Sequence, residues 1–168
     1  MSIRNIFIIV FAFLVATGCT MNYSFTGASI PPQLETVSVQ FFENRAEIIY
    51  PTLSQDMTES LKDMFQSRTR LQLINDIGDA DFEGTITQYR TQPVSVQADE
   101  RANLERLTIS VRVAYTNTVD PELDFEATFT RHEDYDARQG LQPVEAELVK
   151  KIIAQITEDV FNRAFVNW

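Results

Sequence analysis

Few side chains in this sequence are of a type and spacing that could do covalent or acid–base chemistry. The one histidine, His132, lies in Arg131-His132-Glu133-Asp134. A base oriented by a carboxylate is the sharp reading. A solvated strand end is the one the setting favours. Asp120, Glu122 and Asp124 offer oxygen ligands of the kind calcium takes, but not the spacing of a known calcium loop. Zinc normally takes several His or Cys ligands, and the chain has one of each. Its five glycines form no phosphate-cradling loop, and no serine sits in a nucleophile elbow. No catalytic residue, metal site or cofactor is therefore assigned, and the chain is not read as an enzyme. Arg101 and Arg106 flank a charged connection. They suit either contact with an anion or simple solvation.

The remaining reactive group is the thiol of Cys19, the only cysteine, so no disulfide forms within the chain. An unbroken apolar run from Ile6 to Ala16 precedes it, with Arg4 in front. That run is too short for a bilayer, which needs roughly 20 apolar residues. It has the length of the hydrophobic region of a secretion signal, roughly 7–15 residues, ending at small residues. Ala16-Thr17-Gly18-Cys19 resembles the lipobox of bacterial lipoproteins. That resemblance implies cleavage before Cys19 and acylation of the cysteine. Buried acyl chains, at about 0.8 kcal/mol per methylene, would then hold the protein on a membrane.

Charge sets a second bound. With 14 Lys and Arg against 24 Asp and Glu, the formal net charge is −10. Loss of residues 1–18 removes Arg4 and no acid, which makes the rest more negative. Such a chain is a poor binder of nucleic acid, whose phosphates repel it.

The remaining pattern is that of elements that must hold a core. Val37, Val39 and Phe41 alternate with Ser38 and Gln40, the period of a half-buried strand. Pro51-Thr52 opens a helix, with Thr52 and Gln55 placed as a capping box. Leu53, Met57, Leu61, Met64 and Phe65 form its apolar face, and it fades near Thr69. Leu71 and Leu73 suggest a short strand. Phe82, Gly84, Ile86 and Gln88 alternate with Glu83, Thr85, Thr87 and Tyr89 in another. Pro93 marks an edge or bulge. Leu107, Ile109, Val111, Val113 and Tyr115 make the clearest strand, and Leu123, Phe125, Ala127 and Phe129 its hairpin partner. Pro143 suits the first turn of a last helix, whose stripe runs from Val144 through Leu148, Ile152 and Ile156 to Phe161, Phe165 and Trp168.

These elements predict an α+β, two-layer domain, with two helices on one face of a mostly antiparallel sheet of about four strands. The organisation read from them is a signal peptide at 1–18, a lipid-anchored tether at 19–35 and a single α+β domain at 36–168. Most of the twelve phenylalanines fall in core positions. Phe42, Tyr89 and Tyr135 fall outside the inward pattern and are read as a partner surface.

Order and coverage carry a further resemblance. The lipobox cysteine is followed by Tyr23-Ser24-Phe25-Thr26-Gly27-Ala28-Ser29-Ile30-Pro31, the strand from Thr36 to Phe42 and the helix opening Pro51-Thr52-Leu53-Ser54-Gln55. Arg68-Thr69-Arg70-Leu71-Gln72-Leu73, Phe82-Glu83-Gly84-Thr85-Ile86 and the ending from Phe161 to Trp168 follow. Together they resemble a divergent branch of the lipopolysaccharide-assembly lipoprotein family, LptE. The resemblance implies a lipid-anchored protein on the periplasmic side of the outer membrane. It implies a complex with an LptD-type outer-membrane β-barrel, whose lumen the lipoprotein plugs, and delivery of lipopolysaccharide to the cell surface without covalent chemistry. It also implies a lipopolysaccharide-contact loop, with Arg101 and Arg106 as its counterpart by topology. That loop also carries Asp99, Glu100 and Glu105. The barrel role is therefore the stronger expectation. The alternative is a lipoprotein that binds a lipid or other hydrophobic ligand without a barrel.

Overall fold

Val37 and Val39 are both buried, which sets β1 (Thr36–Val39) against the core. The structure, a computed structural model, describes residues 30–94 and 103–166. After β1 come β2 (Glu43–Asn44), α1 (Leu53–Arg68), β3 (Gln72–Leu73), β4 (Ala80–Pro93) and β5 (Leu104–Asn117). A 3-10 turn at Pro121–Leu123, β6 (Phe125–Asp136) and α2 (Glu145–Phe165) complete the order. The strands form a six-stranded sheet, β3-β1-β4-β5-β6, with β2 also paired to β4. β4, β5 and β6 are antiparallel neighbours, whereas β1 pairs with β3 and β4, and β2 with β4, in parallel. The α+β architecture with two helices is as expected. The sheet is larger than expected and mixed. The short strand expected from Leu71 and Leu73 forms as β3, and the unexpected member is β2, whose two residues are too few to show an alternation.

Each helix is apolar on one side. α1 buries Leu53, Met57, Leu61 and Phe65 at three- and four-residue steps, and α2 does the same from Leu148 to Phe165. The helices run in the same direction. Tyr50 and Asp56 share a groove with Ala146 and Val149, and further along Arg68 Nη1 donates to Glu158 Oε1 at 2.8 Å. The expected capping box at Thr52 does not form. Its hydroxyl donates to Asp56 Oδ2 at 2.7 Å, and its carbonyl accepts from Asp56 N at 2.8 Å. Pro143 stands two residues ahead of the first helical residue, Glu145.

Aromatic rings join the layers. Phe65 lies 4.6 Å from Phe82, Phe82 lies 4.8 Å from Tyr115, and Phe165 meets Phe65 edge-on at 5.7 Å. Such pairs add roughly 0.5–1.5 kcal/mol each beyond burial.

β4 sits at the centre of the pairing, and two irregularities beside it decide which residues face inward. After β1 the chain steps out of phase. Gln40 N still donates to Phe82 O at 2.8 Å, but Phe42 N donates to Thr58 Oγ1 on α1 at 3.1 Å. Phe42 therefore enters the core, and Phe41 is 63 % exposed. The ring of Phe42 occupies the space that a side chain on Gly84 would need. The second irregularity is a register shift between Ile86 and Gln88. It inserts Thr87 as an extra residue and turns Tyr89, rather than Gln88, inward.

The incoming chain is fixed at the opposite end of β4. Leu34 is fully buried, so packing begins ahead of β1. Asp79 accepts from Glu35 N, Thr36 N and Thr36 Oγ1 at 3.0, 2.9 and 2.8 Å, and Asp79 N donates back to Thr36 Oγ1. The Thr36 hydroxyl bond, joined by the two backbone bonds, holds the Asp79 carboxyl below the usual carboxylate range.

Two expected outcomes test these contacts. Phe42→Ala costs about 3–5 kcal/mol of stability. Gly84→Ala costs about 1–3 kcal/mol through overpacking. In the double variant the Gly84→Ala cost shrinks, because the ring it strikes is gone. Urea unfolding of the four proteins reads the coupling, and additive losses would show that ring and glycine are independent. Acid tests Asp79. Its folded pKa is depressed, so its contribution is complete above the unfolded value of about 3.9 and is lost as pH falls through the folded one. Asp79→Asn therefore flattens the loss of stability below about pH 4. An unchanged acid limb would remove Asp79 from the account.

Candidate interaction surfaces

The three aromatics expected on a partner surface are buried instead. Phe42 sits over Gly84, as described above. Tyr89 turns inward after the Thr87 bulge, stacks on Tyr50 at 6.0 Å, and donates its hydroxyl to Glu145 Oε1 at 2.5 Å. Burial, together with the Glu145 carboxylate, raises its pKa. Tyr135 is buried because β6 runs on to Asp136. Arg131, Glu133 and Tyr135 continue the inward phase of Phe125 and Phe129 there. Arg131 forks onto Asp159 with both bonds at 2.6 Å, and Gln155 donates to Glu133 at 2.7 Å. These polar partners on α2 hide the alternation from a hydrophobicity reading. The Tyr135 hydroxyl donates to Glu105, and burial pushes its pKa up to about 12. Tyr89 thus ties the sheet to the first residue of α2, and Tyr135 ties β6 to β5.

Cys19 and Arg101 lie outside the described residues. Arg106 is on β5, opposite Asp134 of β6. Its guanidinium forks onto that carboxylate, Nε at 2.6 Å and Nη2 at 2.9 Å. This contact raises the Arg106 pKa and lowers that of Asp134. An anionic headgroup at Arg106 must therefore compete with an internal carboxylate already in bidentate geometry. His132 is exposed opposite Thr108, on the face away from the helices. Its two acidic neighbours are engaged by Gln155 and Arg106. Of the acidic run at the β5–β6 turn, Asp120 accepts from Glu122 N at 3.3 Å and Asp124 from Asn117 N at 2.7 Å. Both carboxylates cap backbone there. No cluster of metal ligands forms among the described residues.

The sheet face away from the helices is polar. Ser38, Asp81, Thr108 and Ser110 are nonetheless buried on it, because side chains there cover one another. Asp81 accepts from the Ser38 hydroxyl and from Gln40 Nε2. Ser110 Oγ reaches Gln88 at 3.3 Å and Thr130 at 2.8 Å. A hollow of about 330 Å³ on this face is lined by Arg45, Thr85, Thr87 and Arg112. Both arginines are already paired, with Glu43 and Glu126.

Exposed large apolar residues fall into two groups that periodicity did not reveal. Phe41, Ile48 and Ile49 surround β2 and the approach to α1. Ile77, Val119 and Leu123 lie at the opposite end, where Thr118 N donates to Asp79 O at 2.9 Å. Phe41 and Leu123 continue the alternation of their strands in the sequence but lie beyond the strand ends, and the other four occupy turns and short links without periodic context. A groove of about 480 Å³ opens between α1 and α2, near the first of these groups.

Comparison with known proteins places this fold. A minor lipoprotein from Acinetobacter baumannii superposes with a TM-score of 0.51 at 15% identity, over 77% of this chain and 91% of that one. A protein from Xanthomonas campestris superposes with a TM-score of 0.54 at 13% identity, over 80% and 87%. Lipoprotein B from Nitrosomonas europaea gives 0.50 at 17% identity, over 84% and 88%. At these identities the likeness is one of fold. No curated protein matches the chain. The lipopolysaccharide-assembly family LptE matches residues 34–164. That span takes in every described strand, all of α1 and all of α2 but its last residue, and the protein belongs to the LptE family.

Proposed function

We propose that the protein is an outer-membrane lipoprotein, tethered by lipid on Cys19 and facing the periplasm. It assembles with an LptD-type β-barrel and plugs its lumen, and the pair moves lipopolysaccharide to the cell surface. The observation that carries this reading is the family match across residues 34–164. The small–small–cysteine sequence after the Ile6–Ala16 run supports the anchor. In the proposed layout, residues 1–18 are removed and 19–35 form the tether, whose last residues are pinned by Asp79. No described helix is long and apolar enough to cross a membrane. In this reading acyl chains on Cys19 supply the attachment.

The surface chemistry supports a plug. Barrel lumens are polar, and a body inside one needs a polar exterior with its own hydrogen bonds satisfied. The open sheet face has that character. The action is non-enzymatic: binding and shape do the work. Direct lipopolysaccharide contact through Arg106 has weaker support, because Asp134 holds that guanidinium. The alternative without a barrel needs an apolar cavity for its ligand. The rings that could line one, Phe65, Phe82, Tyr115 and Phe165, interlock instead.

The test is affinity purification of the tagged full-length protein from detergent-solubilised outer membranes, beside a Cys19→Ala variant. The wild type is expected to bring down a large barrel in stoichiometric amount. The variant is expected to disappear from the outer-membrane fraction. Recovery of the wild type without a barrel would reduce the family match to a statement about fold. Retention of the variant in the outer membrane would remove Cys19 as the anchor.

A further inference from the structure

The sheet ends very differently on its two sides. At one edge β3 has two residues, too short to recruit another strand. At the other edge β6 runs for 12 residues without proline or glycine. Its register on β5 is unbroken from Phe125 to Asp136, so it carries no bulge either. Proline, a bulge or unpaired charge normally stops such an edge from pairing further. β6 does carry charge, but its charged side chains are already met from within. Glu126 pairs with Arg112, Arg131 with Asp159 and Asp134 with Arg106, and Glu133 accepts from Gln155.

The phase of the ladder shows which backbone groups are left over. Just past the strand end, Ala137 N donates to Asn103 O at 2.7 Å. Antiparallel pairs alternate between bonded and non-bonded, so the odd-numbered residues of β6 bond to β5. The N–H and C=O groups of Glu126, Thr128, Thr130, His132 and Asp134 therefore point to the open side. These residues are exposed, and their backbone groups have no hydrogen-bond partner among the described residues. Directional groups in such a row select an extended polypeptide backbone.

We propose that this edge pairs with β6 of a second copy of the protein, antiparallel about a twofold axis at His132. The side chains choose both the occupant and the register. With the axis at His132, Arg131 comes opposite Glu133 of the second copy, on both sides of the axis. Arg131 spends Nε and Nη2 on Asp159, which leaves Nη1 to donate. Glu133 receives Gln155 on Oε1, which leaves Oε2 to accept. The half-buried ring of Phe129 comes opposite Tyr135, and Glu126 opposite Arg138 beyond the strand end. Neighbouring registers set like charges against each other, which is destabilising. An axis at Phe129 opposes Asp124 to Asp134, and one at Thr130 opposes Glu126 to Asp134. An axis at Arg131 or at Glu133 opposes that residue to itself. The inference goes beyond the barrel reading and needs only the open edge.

The test uses the full-length protein purified in detergent, with single cysteines added and copper phenanthroline as oxidant. Cys19 is the only native cysteine, so unaltered protein reads any background from it. Across the axis the two Cα atoms of position 132 stand about 5.5 Å apart, within the roughly 4.4–6.8 Å that a disulfide spans. Those of position 130 stand about 14 Å apart, at ~3.4 Å per residue along the strand. His132→Cys is therefore expected to give a disulfide-linked dimer and Thr130→Cys none. Thr130→Cys combined with Asp134→Cys is expected to restore the dimer, because those positions face each other. Thermal unfolding confirms that each variant is folded. No dimer from His132→Cys, or as much from Thr130→Cys, overturns the proposal. Either failure leaves the barrel reading to its own purification experiment.

Discussion

One contact organises the molecule: the ring of Phe42 lying over the bare Cα of Gly84. β4 is the strand to which β1, β2 and β5 all pair, so whatever sits on its inner face sets how closely α1 can approach. A side chain at position 84 would displace Phe42. The Phe42 backbone N–H would then lose the Thr58 hydroxyl, which itself donates to Ser54 O within α1 at 2.7 Å. The link from β1 to α1 therefore depends on an absent side chain in the neighbouring strand. Phe41 is exposed for the same reason. Only one of two adjacent phenylalanines can turn inward, and the Gly84 recess takes Phe42.

From that centre the rest is conventional burial with polar exceptions in defined places. The inner face is closed by two one-sided helices and a chain of interlocked rings. The outer face is hydrophilic, and its buried hydroxyls and carboxylate satisfy one another. Tyr89 and Tyr135 fasten the end of the sheet nearest the first turn of α2, with glutamate acceptors. Asp79 fastens the end where the chain arrives.

The sequence made some of this plain and left some of it unreadable, for physical reasons. β5 could be read outright, because five inward residues from Leu107 to Tyr115 alternate without interruption. The stripe of α2 was equally clear. β2 was invisible, since two residues, Glu43 and Asn44, have no period. The inward turn of Tyr89 depends on a one-residue bulge, and the burial of Tyr135 on polar partners from α2. Neither leaves a mark in the hydrophobic pattern. Aromatics that broke the alternation were therefore read as surface, although they are core. The groove between the helices was equally hidden, because only packing places Asp56 and Lys150 around one trough. The reading of Cys19 as a lipid anchor rests on sequence alone, on the short apolar run and the small residues before it.

The central claim is that this domain occupies the lumen of its barrel partner. Conductance through single barrels in a planar bilayer tests it most directly, comparing barrel purified alone with barrel purified together with the lipoprotein. The account expects a large open conductance from the barrel alone and a nearly closed pore from the complex. Equal conductance from the two would contradict it, and would place the protein beside the barrel rather than within it.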